Sequence, residues 1–307
     1  MKKGLKKFCI TITVVLAIVT GIDCCTGFLM DWMLPQISNQ GATGKTYFSF
    51  NEANYQTIIV GSSRAEHHYV TQLIEDSIGM PTYNVGRDGC FFNYNCCLVN
   101  SILDRYTPKA IIWEFDNDKL YSGIYDPLED MYPYYGKNKW ITSTIEEELP
   151  WSEYVRLNSN IYRYNSILLS ITARYLNRSS AADTSKGYAP LYATAKNMSL
   201  DTATTPDSDI SITKFKRFEA TLKRIKEKGV TLILVDSPKF LIDKEKTQAD
   251  QLMEKLCSDY SITYIDNSQI PMFLEHPEYY KDQTHLNDKG AKLYTEIFIS
   301  QCKSLIK

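Results

Sequence analysis

Short, continuously apolar runs alternate with amphipathic helical segments over much of this 307-residue chain. The runs read TIIVGS, TYNVG, KAIIWEF, VTLILVDSP and ITYID. A strand without polar alternation is buried on both faces, which is typical of a parallel sheet covered by helices. Alternation of strands and helices is the pattern of an α/β fold. We therefore predict a three-layer α/β/α sandwich with about five parallel strands.

The alternation is interrupted after the third run. About 90 residues separate Leu120 from Asp209, whereas a crossover between parallel strands needs only about a dozen. We predict an insertion over 120–210 that is helical in SEYVRLNSNIYRYNSILLSITARYL. Because it begins where the third strand ends, we expect it to lie over the carboxyl ends of the strands. The next helix, ITKFKRFEATLKRIKEKG, is strongly amphipathic and ends at Gly229.

The N-terminus has the composition of a membrane anchor. Four lysines within the first seven residues precede an uncharged apolar run from Phe8 to Ile22, and apolar character resumes after Asp23. Basic flanks stay in the cytoplasm, so the chain beyond the anchor is expected outside it. A cleaved signal peptide has a similar start; we favour the uncleaved span. The predicted organisation is an anchor over 1–34, a connector over 35–56 and a globular domain over 57–307.

Several function classes receive no support from the composition. The net charge of −2 gives no general attraction to nucleic acid. The connector segment NQGATGKT lacks the first glycine of a phosphate-binding loop, because Asn39 stands in its place. The eight cysteines show no zinc spacing, so we expect neither a metal nor a cofactor. We expect most of them to be buried thiols, with a disulfide between Cys257 and Cys302 as a hypothesis.

Residues suited to acyl transfer follow the predicted strands, where ligands of parallel α/β sheets bind. Ser62 and Ser63 follow the first strand, and a serine hydroxyl needs a base to become nucleophilic. His285, near the C-terminus, is the candidate base, and Asp282 is placed to fix its tautomer. The backbone N–H groups of Ser63 and Gly89, together with the side-chain amide of Asn117, are the candidate donors to an oxyanion.

These residues stand in four short blocks, GSSR, NVGRDG, FDND and DQTHLN, in this order along the chain. The set resembles the four sequence blocks of the SGNH/GDSL hydrolases over Thr57–Asp118 and Ile212–Lys307. The resemblance implies a flavodoxin-like α/β fold with Ser63 as nucleophile, and Gly89 and Asn117 in the oxyanion hole. It further implies Asp282 and His285 as the D-x-x-H pair. Ser62 is the alternative nucleophile.

The GSS variant, the N-terminal anchor and the late D-x-x-H are similar to a membrane-tethered branch of that family. This branch includes the D-alanine transfer protein of teichoic acid synthesis and the alginate O-acetylation proteins. The resemblance implies an extracytoplasmic serine esterase or O-acyltransferase that acts on ester-linked acyl groups, expected on a cell-envelope polysaccharide. A membrane-bound O-acyltransferase is then an expected partner, and nucleic acid is not.

Two departures from the family pattern support a second hypothesis. Ser62 replaces the aspartate of the first block, and Phe115 stands where the third block has glycine. The alternative is therefore a catalytically inactive SGNH-like domain that binds glycan or supports a membrane acyltransferase.

Other polar and aromatic residues have structural explanations. We expect His276 in a loop, His67 and His68 on the first helix, and Asp116 and Asp118 as caps at a strand end rather than metal ligands. The segment YSGIYDPLEDMYPYYGKNKW is rich in tyrosine. We favour a packed lid core for it, with glycan contact by Tyr132, Tyr134 and Tyr135 as a hypothesis.

Overall fold

The computed structural model describes residues 2–178, 183–204, 206–242 and 246–306. The helices in these residues are α1 Lys2–Met33, α2 Gly41–Asn51, α3 Ser63–His68, α4 Thr71–Ile78, α5 Phe92–Arg105, α6 Lys139–Glu148, α7 Trp151–Arg156, α8 Asn160–Tyr164, α9 Leu168–Leu176, α10 Ile212–Glu227, α11 Gln248–Tyr260, α12 Pro271–Glu275 and α13 Asp288–Cys302. The strands are β1 Thr57–Val60, β2 Thr82–Asn84, β3 Ala110–Glu114, β4 Asp201–Thr202, β5 Thr231–Asp236, β6 Leu241–Ile242 and β7 Thr263–Asp266.

Five strands form one sheet in the order β2-β1-β3-β5-β7, and every neighbouring pair is parallel. This is the strand order of flavodoxin-like folds, in which the order reverses beside the first strand. The predicted α/β class, the five parallel strands and the flavodoxin-like architecture are therefore confirmed. The two remaining short strands, β4 and β6, pair with each other outside this sheet.

Successive side chains of each strand point to opposite faces of the sheet, and this divides the core into two layers. On β3, Ile112 belongs to a buried cluster that includes Tyr294 and Phe298 of α13. The next residue, Trp113, points to the opposite face and packs edge-on against Phe218 of α10. Successive side chains of a strand alternate between faces, and here both faces are apolar and covered by helices. The continuous apolar runs of the sequence result from this double coverage.

A tight turn carries the chain from β1 into α3. Gly61 has φ +148°, a backbone conformation that residues other than glycine rarely adopt. A Cβ atom on Gly61 would lie 2.7 Å from Cβ of Ala65 and 2.8 Å from the carbonyl oxygen of Glu114. The turn therefore needs glycine both for its backbone conformation and for close packing of α3 against β3.

The chain divides into two compact units, residues 48–127 with 181–307, and residues 1–47 with 128–180. The first unit contains the sheet. Residues of the predicted insertion 120–210 contribute to both units. Within the sheet unit the two ends of the insertion pair with each other, through an antiparallel bridge between Tyr121 and Ile210.

The second unit contains α1 and the helices α6–α9. One helix of the described residues, over Lys3–Ile37, is long and apolar enough to cross a membrane, although a signal sequence would meet the same criteria. The predicted connector contains a helix, since α2 begins at Gly41.

The suggested disulfide is absent. Cys257 and Cys302 are both free, buried thiols. Cys302 packs in the cluster with Phe298 and Tyr294, and Cys257 is not a member of that cluster. The expectation that most cysteines are buried is met by five of the eight, since Cys90, Cys96 and Cys97 are also buried.

The turn before α3 gives a prediction about stability. Gly61→Ala should lower the free energy of unfolding more than Gly79→Ala, which also has positive φ but has no atom within 4 Å of the added methyl. The control should cost about 1–2 kcal/mol for the left-handed backbone alone. Chemical unfolding of the full chain in detergent measures both variants. Equal losses in the two variants would contradict the steric argument.

Candidate active site

Ser63 is the first residue of α3 and lies directly beyond the carboxyl end of β1. Its Oγ atom is 2.7 Å from Nε2 of His285, although 222 residues separate the two in sequence. Ser62, the alternative nucleophile, is the N-cap residue of α3 and makes no capping hydrogen bond through its side chain. The geometry therefore brings Ser63 to a candidate base.

Asp282 holds the other side of the His285 ring. Nδ1 of His285 is 2.8 Å from Oδ1 and 3.0 Å from Oδ2 of Asp282. A carboxylate accepts hydrogen bonds, so this contact assigns the ring proton to Nδ1 and leaves Nε2 as an acceptor for the Ser63 hydroxyl. Burial alone would raise the pKa of Asp282, but hydrogen bonds from the Thr284 backbone and the His285 side chain lower it below its ordinary value. Asp282 therefore remains ionised.

The loop that carries Asp282 and His285 is fixed by backbone contacts. Tyr280 and Leu286 form an antiparallel bridge across the loop, and the N–H of His285 donates to Asp282. The carbonyl of Gln283 accepts a hydrogen bond from the N–H of Phe240, on the segment after β5. These contacts determine the position of the histidine before any substrate is bound.

A buried ion network lies beneath α3. Arg64, next to Ser63, contacts Asp236 at 2.5 Å and Glu114 at 3.2 Å. Burial opposes the charge of Arg64, but the two carboxylates outweigh it and raise the pKa of the guanidinium. Arg64 also donates to the carbonyl of Ser237. The network connects the start of α3 to the carboxyl ends of β3 and β5, and thereby fixes the backbone of the serine turn.

His68 connects this network to the histidine loop. Its Nε2 accepts a hydrogen bond from the N–H of Leu286 at 2.9 Å, so Nδ1 carries the proton and donates to Oγ of Ser237 at 2.7 Å. The Ser237 hydroxyl in turn donates to Glu114. Burial and the charge of Arg64 lower the pKa of His68 well below its ordinary value, so this ring stays neutral. His68 is thus a structural link and not a second base.

Glu114 is an acid in a site that disfavours its charge. Burial raises its pKa to about 7; Arg64 opposes the shift and Asp236 adds to it. The hydroxyl of Tyr69 and the backbone N–H of Ser237 donate to the same carboxylate. Two carboxylates thus share one guanidinium in a buried environment.

The turn after β2 approaches α3 closely. The Asn84 side chain accepts from the N–H of Gly86 and donates to the carbonyl of Ala65. Gly89 follows in this loop with φ +74°, and the N–H of Asp88 donates to Glu66 of α3. The structure thus attaches the Gly89 loop to the helix that begins with Ser63.

Asn117 is engaged elsewhere. Its amide nitrogen donates to Asp250 at 2.7 Å and to the hydroxyl of Tyr264 at 3.2 Å. A primary amide has two N–H groups, and both are used by these contacts. In this structure Asn117 has no N–H group left for an oxyanion, in contrast to the sequence-based expectation. Its buried Oδ1 has no hydrogen-bond partner in the described part of the chain.

A polar cavity of about 230 Å³ lies beyond β3, β5 and β7, and Asn117 lines it. Asp116 and Asp118 line the same cavity. Burial and the nearby charge of Asp116 raise the pKa of Asp118 to about 6. The N–H of Asp118 donates to the Asp116 side chain, as expected of a cap. Among the described residues, no group of three or more His, Cys, Asp and Glu side chains is placed to hold a metal ion.

Part of the insertion also surrounds the histidine loop. Nδ1 of His67 lies 2.6 Å from the carbonyl of Ala189, and the N–H of Asp288 donates to Leu191. The N–H of Ala195 donates to the carbonyl of Tyr280. No motif in the sequence indicated residues 189–195, because their contribution is made through backbone groups. His276 lies outside the site and pairs with Glu278.

The tyrosine-rich segment is at least partly a packed core. Tyr134 is buried, Tyr132 stacks on Tyr162, and the hydroxyl of Tyr135 donates to Glu146. These contacts favour the core interpretation of the segment. Glycan contact by these residues stays a prediction.

No family model and no curated protein matches the chain. Among solved structures it is similar to a lipase/acylhydrolase from Enterococcus faecalis, with a TM-score of 0.41 and 9% sequence identity. The similarity covers 82% of this chain and 97% of that one. At this level it establishes neither an activity nor a substrate.

The buried carboxylate gives a prediction about pH. Since the pKa of Glu114 lies above its ordinary value of 4.5, the folded protein keeps this proton at pH values where the unfolded chain has lost it. The Glu114 contribution to the free energy of unfolding should therefore fall as pH rises from about 4.5 to about 7. Glu114→Gln should flatten this part of the stability profile.

Unfolding of the full chain in detergent at pH 5 and pH 8 measures the difference. The control is Glu147→Gln on an exposed part of α6, which should keep the wild-type dependence. An unchanged slope in Glu114→Gln would show that the buried carboxylate does not titrate in this range.

Proposed function

We propose that this chain is a membrane-anchored serine esterase or O-acyltransferase that acts on ester-linked acyl groups. The observation that carries the proposal is the contact of Ser63 with Nε2 of His285, whose Nδ1 is held by Asp282. This is the arrangement of nucleophile, base and orienting carboxylate that serine acyl transfer requires. The ordered blocks that resemble the SGNH/GDSL hydrolases support the same assignment.

The proposed reaction uses two transfers of the acyl group. Oγ of Ser63 attacks the ester carbonyl while Nε2 of His285 takes the hydroxyl proton. The tetrahedral intermediate collapses, and the departing alcohol receives that proton from His285. Water, or a sugar hydroxyl, then attacks the acyl-serine and gives its proton to His285, and Ser63 is released with the proton returned. The ionised Asp282 stabilises the imidazolium at each step.

The oxyanion donors in this proposal are the backbone N–H groups of Ser63 and Gly89. The conformation of Gly89, with positive φ, places it in a turn attached to α3 through Asp88 and Glu66. Preorganised backbone donors are effective because they need no rearrangement when the charge forms. Asn117 is left out of the proposed set because its N–H groups serve Asp250 and Tyr264.

The proposed location is the outer face of a membrane. The basic residues before the apolar part of α1 favour a cytoplasmic N-terminus. A cell-envelope polysaccharide is then the proposed acyl acceptor or substrate, as the resemblance to the membrane-tethered branch implies. A membrane-bound O-acyltransferase is the proposed partner.

One observation favours the alternative of an inactive, polymer-binding domain. The engaged amide of Asn117 removes one of the three oxyanion donors expected from the family pattern. The two functions differ in whether Ser63 is nucleophilic, and a covalent probe separates them.

A fluorophosphonate probe should label the wild-type chain and Ser62→Ala, but not Ser63→Ala. The probe reacts with a serine whose proton is taken by a neighbouring base, and Ser63 has this contact with Nε2 of His285. Labelled protein is measured by in-gel fluorescence on folded samples. Labelling of Ser63→Ala would move the nucleophile to another residue, and an unlabelled wild type would favour the inactive domain.

A second prediction concerns Asn117. Removal of a working oxyanion donor lowers the rate by about 10²–10³. Since Asn117 is engaged with Asp250, Asn117→Ala should slow fluorophosphonate labelling by less than about tenfold. Stopped time courses of labelling give the second-order rate constants. A loss of about 10²–10³ in the labelling rate would mean that the Asn117 amide leaves Asp250 and Tyr264 when the site reacts.

A further inference from the structure

The α1 helix changes character at Asp23. Residues 3–22 are all exposed, whereas after Asp23 one face of the helix is buried, at Gly27, Met30 and Met33, and Phe28, Leu29 and Trp32 stay exposed. The part of α1 before Asp23 is therefore exposed all round, as contact with lipid requires, and the part after Asp23 packs one face within a folded helical unit.

Asp23 forms the main polar contact between α1 and α8. Oδ1 accepts from the hydroxyl of Ser159 at 2.6 Å and from the N–H of Ile161 at 2.9 Å. Oδ2 accepts from the backbone and side-chain nitrogens of Asn160 at 3.0 and 3.1 Å. The first turn of α8 thus lies at the level of Asp23. Gly27 permits this approach, since a Cβ there would overlap the Asn160 side chain.

The level of Asp23 can be compared with the thickness of a bilayer. Fifteen residues separate Phe8 from Asp23, which corresponds to about 22 Å of helix. A hydrocarbon layer is about 30 Å thick and needs about 20 residues. With Phe8 at the inner boundary, Asp23 and the start of α8 lie about 8 Å below the outer edge of the hydrocarbon layer, close to the outer boundary. A carboxylate at such depth needs its hydrogen bonds satisfied by protein, as those of Asp23 are.

The helices next to this contact expose apolar faces. On α9, Leu169, Ala173 and Leu176 are exposed at spacings of four and three residues, opposite the buried Ile171. Residues at this spacing share one face of a helix. Leu169 is 79% exposed and Leu176 is 73% exposed.

The short helix α7 shows the same feature. Trp151 and Val155, four residues apart on one face, are 70% and 49% exposed. Ile161, whose N–H donates to Asp23, is also exposed. An aromatic residue among aliphatic ones is typical of surfaces at the boundary between lipid and water.

We propose that α7, α8 and α9 lie in the outer interface of the bilayer that α1 spans, with Trp151, Val155, Ile161, Leu169 and Leu176 in contact with lipid. The contact of Asp23 with α8 sets the depth of this surface. The inference rests on the proposed membrane span of α1, but not on the proposed catalysis. The apolar surface of α7, α8 and α9 contacts the lipid of the membrane that α1 spans, because α1 belongs to the same unit as these helices.

Site-directed spin labelling of the full chain in phosphatidylcholine vesicles tests the proposal. Cys9, Cys24 and Cys25, the exposed cysteines, are first replaced by serine. A single new cysteine is then introduced by Leu169→Cys or, in a second sample, by Val155→Cys. The matched control is Ser143→Cys on the exposed part of α6, in the same unit. Collision with oxygen, which concentrates in lipid, is compared with collision with a water-soluble nickel chelate.

Labels at 169 and 155 should favour oxygen over nickel, and the label at 143 should favour nickel. A further sample with Leu16→Cys, in the middle of the apolar run, shows whether a negative result concerns the interfacial placement alone or also the membrane span. Oxygen preference at 16 with nickel preference at 169 would overturn the interfacial placement alone. Nickel preference at 16 would overturn the span as well. Dipolar broadening at 169, with low access to both reagents, would indicate a second copy of the chain on this face instead of lipid.

Discussion

The buried guanidinium of Arg64 is the constraint on which the serine turn depends. Arg64 binds Asp236, which is 172 residues away in sequence, and Glu114 at the end of β3. Removing one partner of a buried ion pair costs about 3–5 kcal/mol, because the remaining charge is left without compensation. The chain therefore cannot form this end of the sheet without fixing α3, and α3 begins with Ser63. Stability and the position of the proposed nucleophile thus depend on the same contact.

The same network reaches the candidate base through His68. Leu286, next to His285, donates its N–H to His68, and His68 donates to Ser237. Because His68 is neutral and its proton lies on Nδ1, the donor and the acceptor of each hydrogen bond in this series are fixed. The positions of Ser63 and His285, the proposed nucleophile and base, are therefore linked by buried polar contacts as well as by their own hydrogen bond. This explains how a loop near the C-terminus meets a turn near residue 63.

Much of the fold was predictable because its signal is local. The apolar runs placed all five strands of the sheet, and the Gly61–Ser63 turn and the D-x-x-H segment marked the edge where polar residues meet. What sequence could not supply is the choice of partners at that edge. Arg64 looks like an ordinary helix residue, and its carboxylates lie on two other strands. Asn117 was placed at the correct strand end, but the direction of its amide depends on Asp250 and Tyr264, which lie more than 130 residues away. The division of the insertion between two units likewise depends on packing with α1, which no local pattern reveals.

The exposure of Asp282 and His285 bears on the choice between hydrolysis and transfer in the proposed reaction. The side chain of Asp282 is 47% exposed and that of His285 is 24% exposed. In the proposed acyl-serine, water reaches this base as readily as a sugar hydroxyl does, unless a bound acceptor covers the site. Transfer thus requires that the acceptor exclude water from His285, whereas hydrolysis requires nothing further. We therefore expect ester hydrolysis as the basal reaction of the isolated chain, and transfer only where an acceptor is held against the histidine loop.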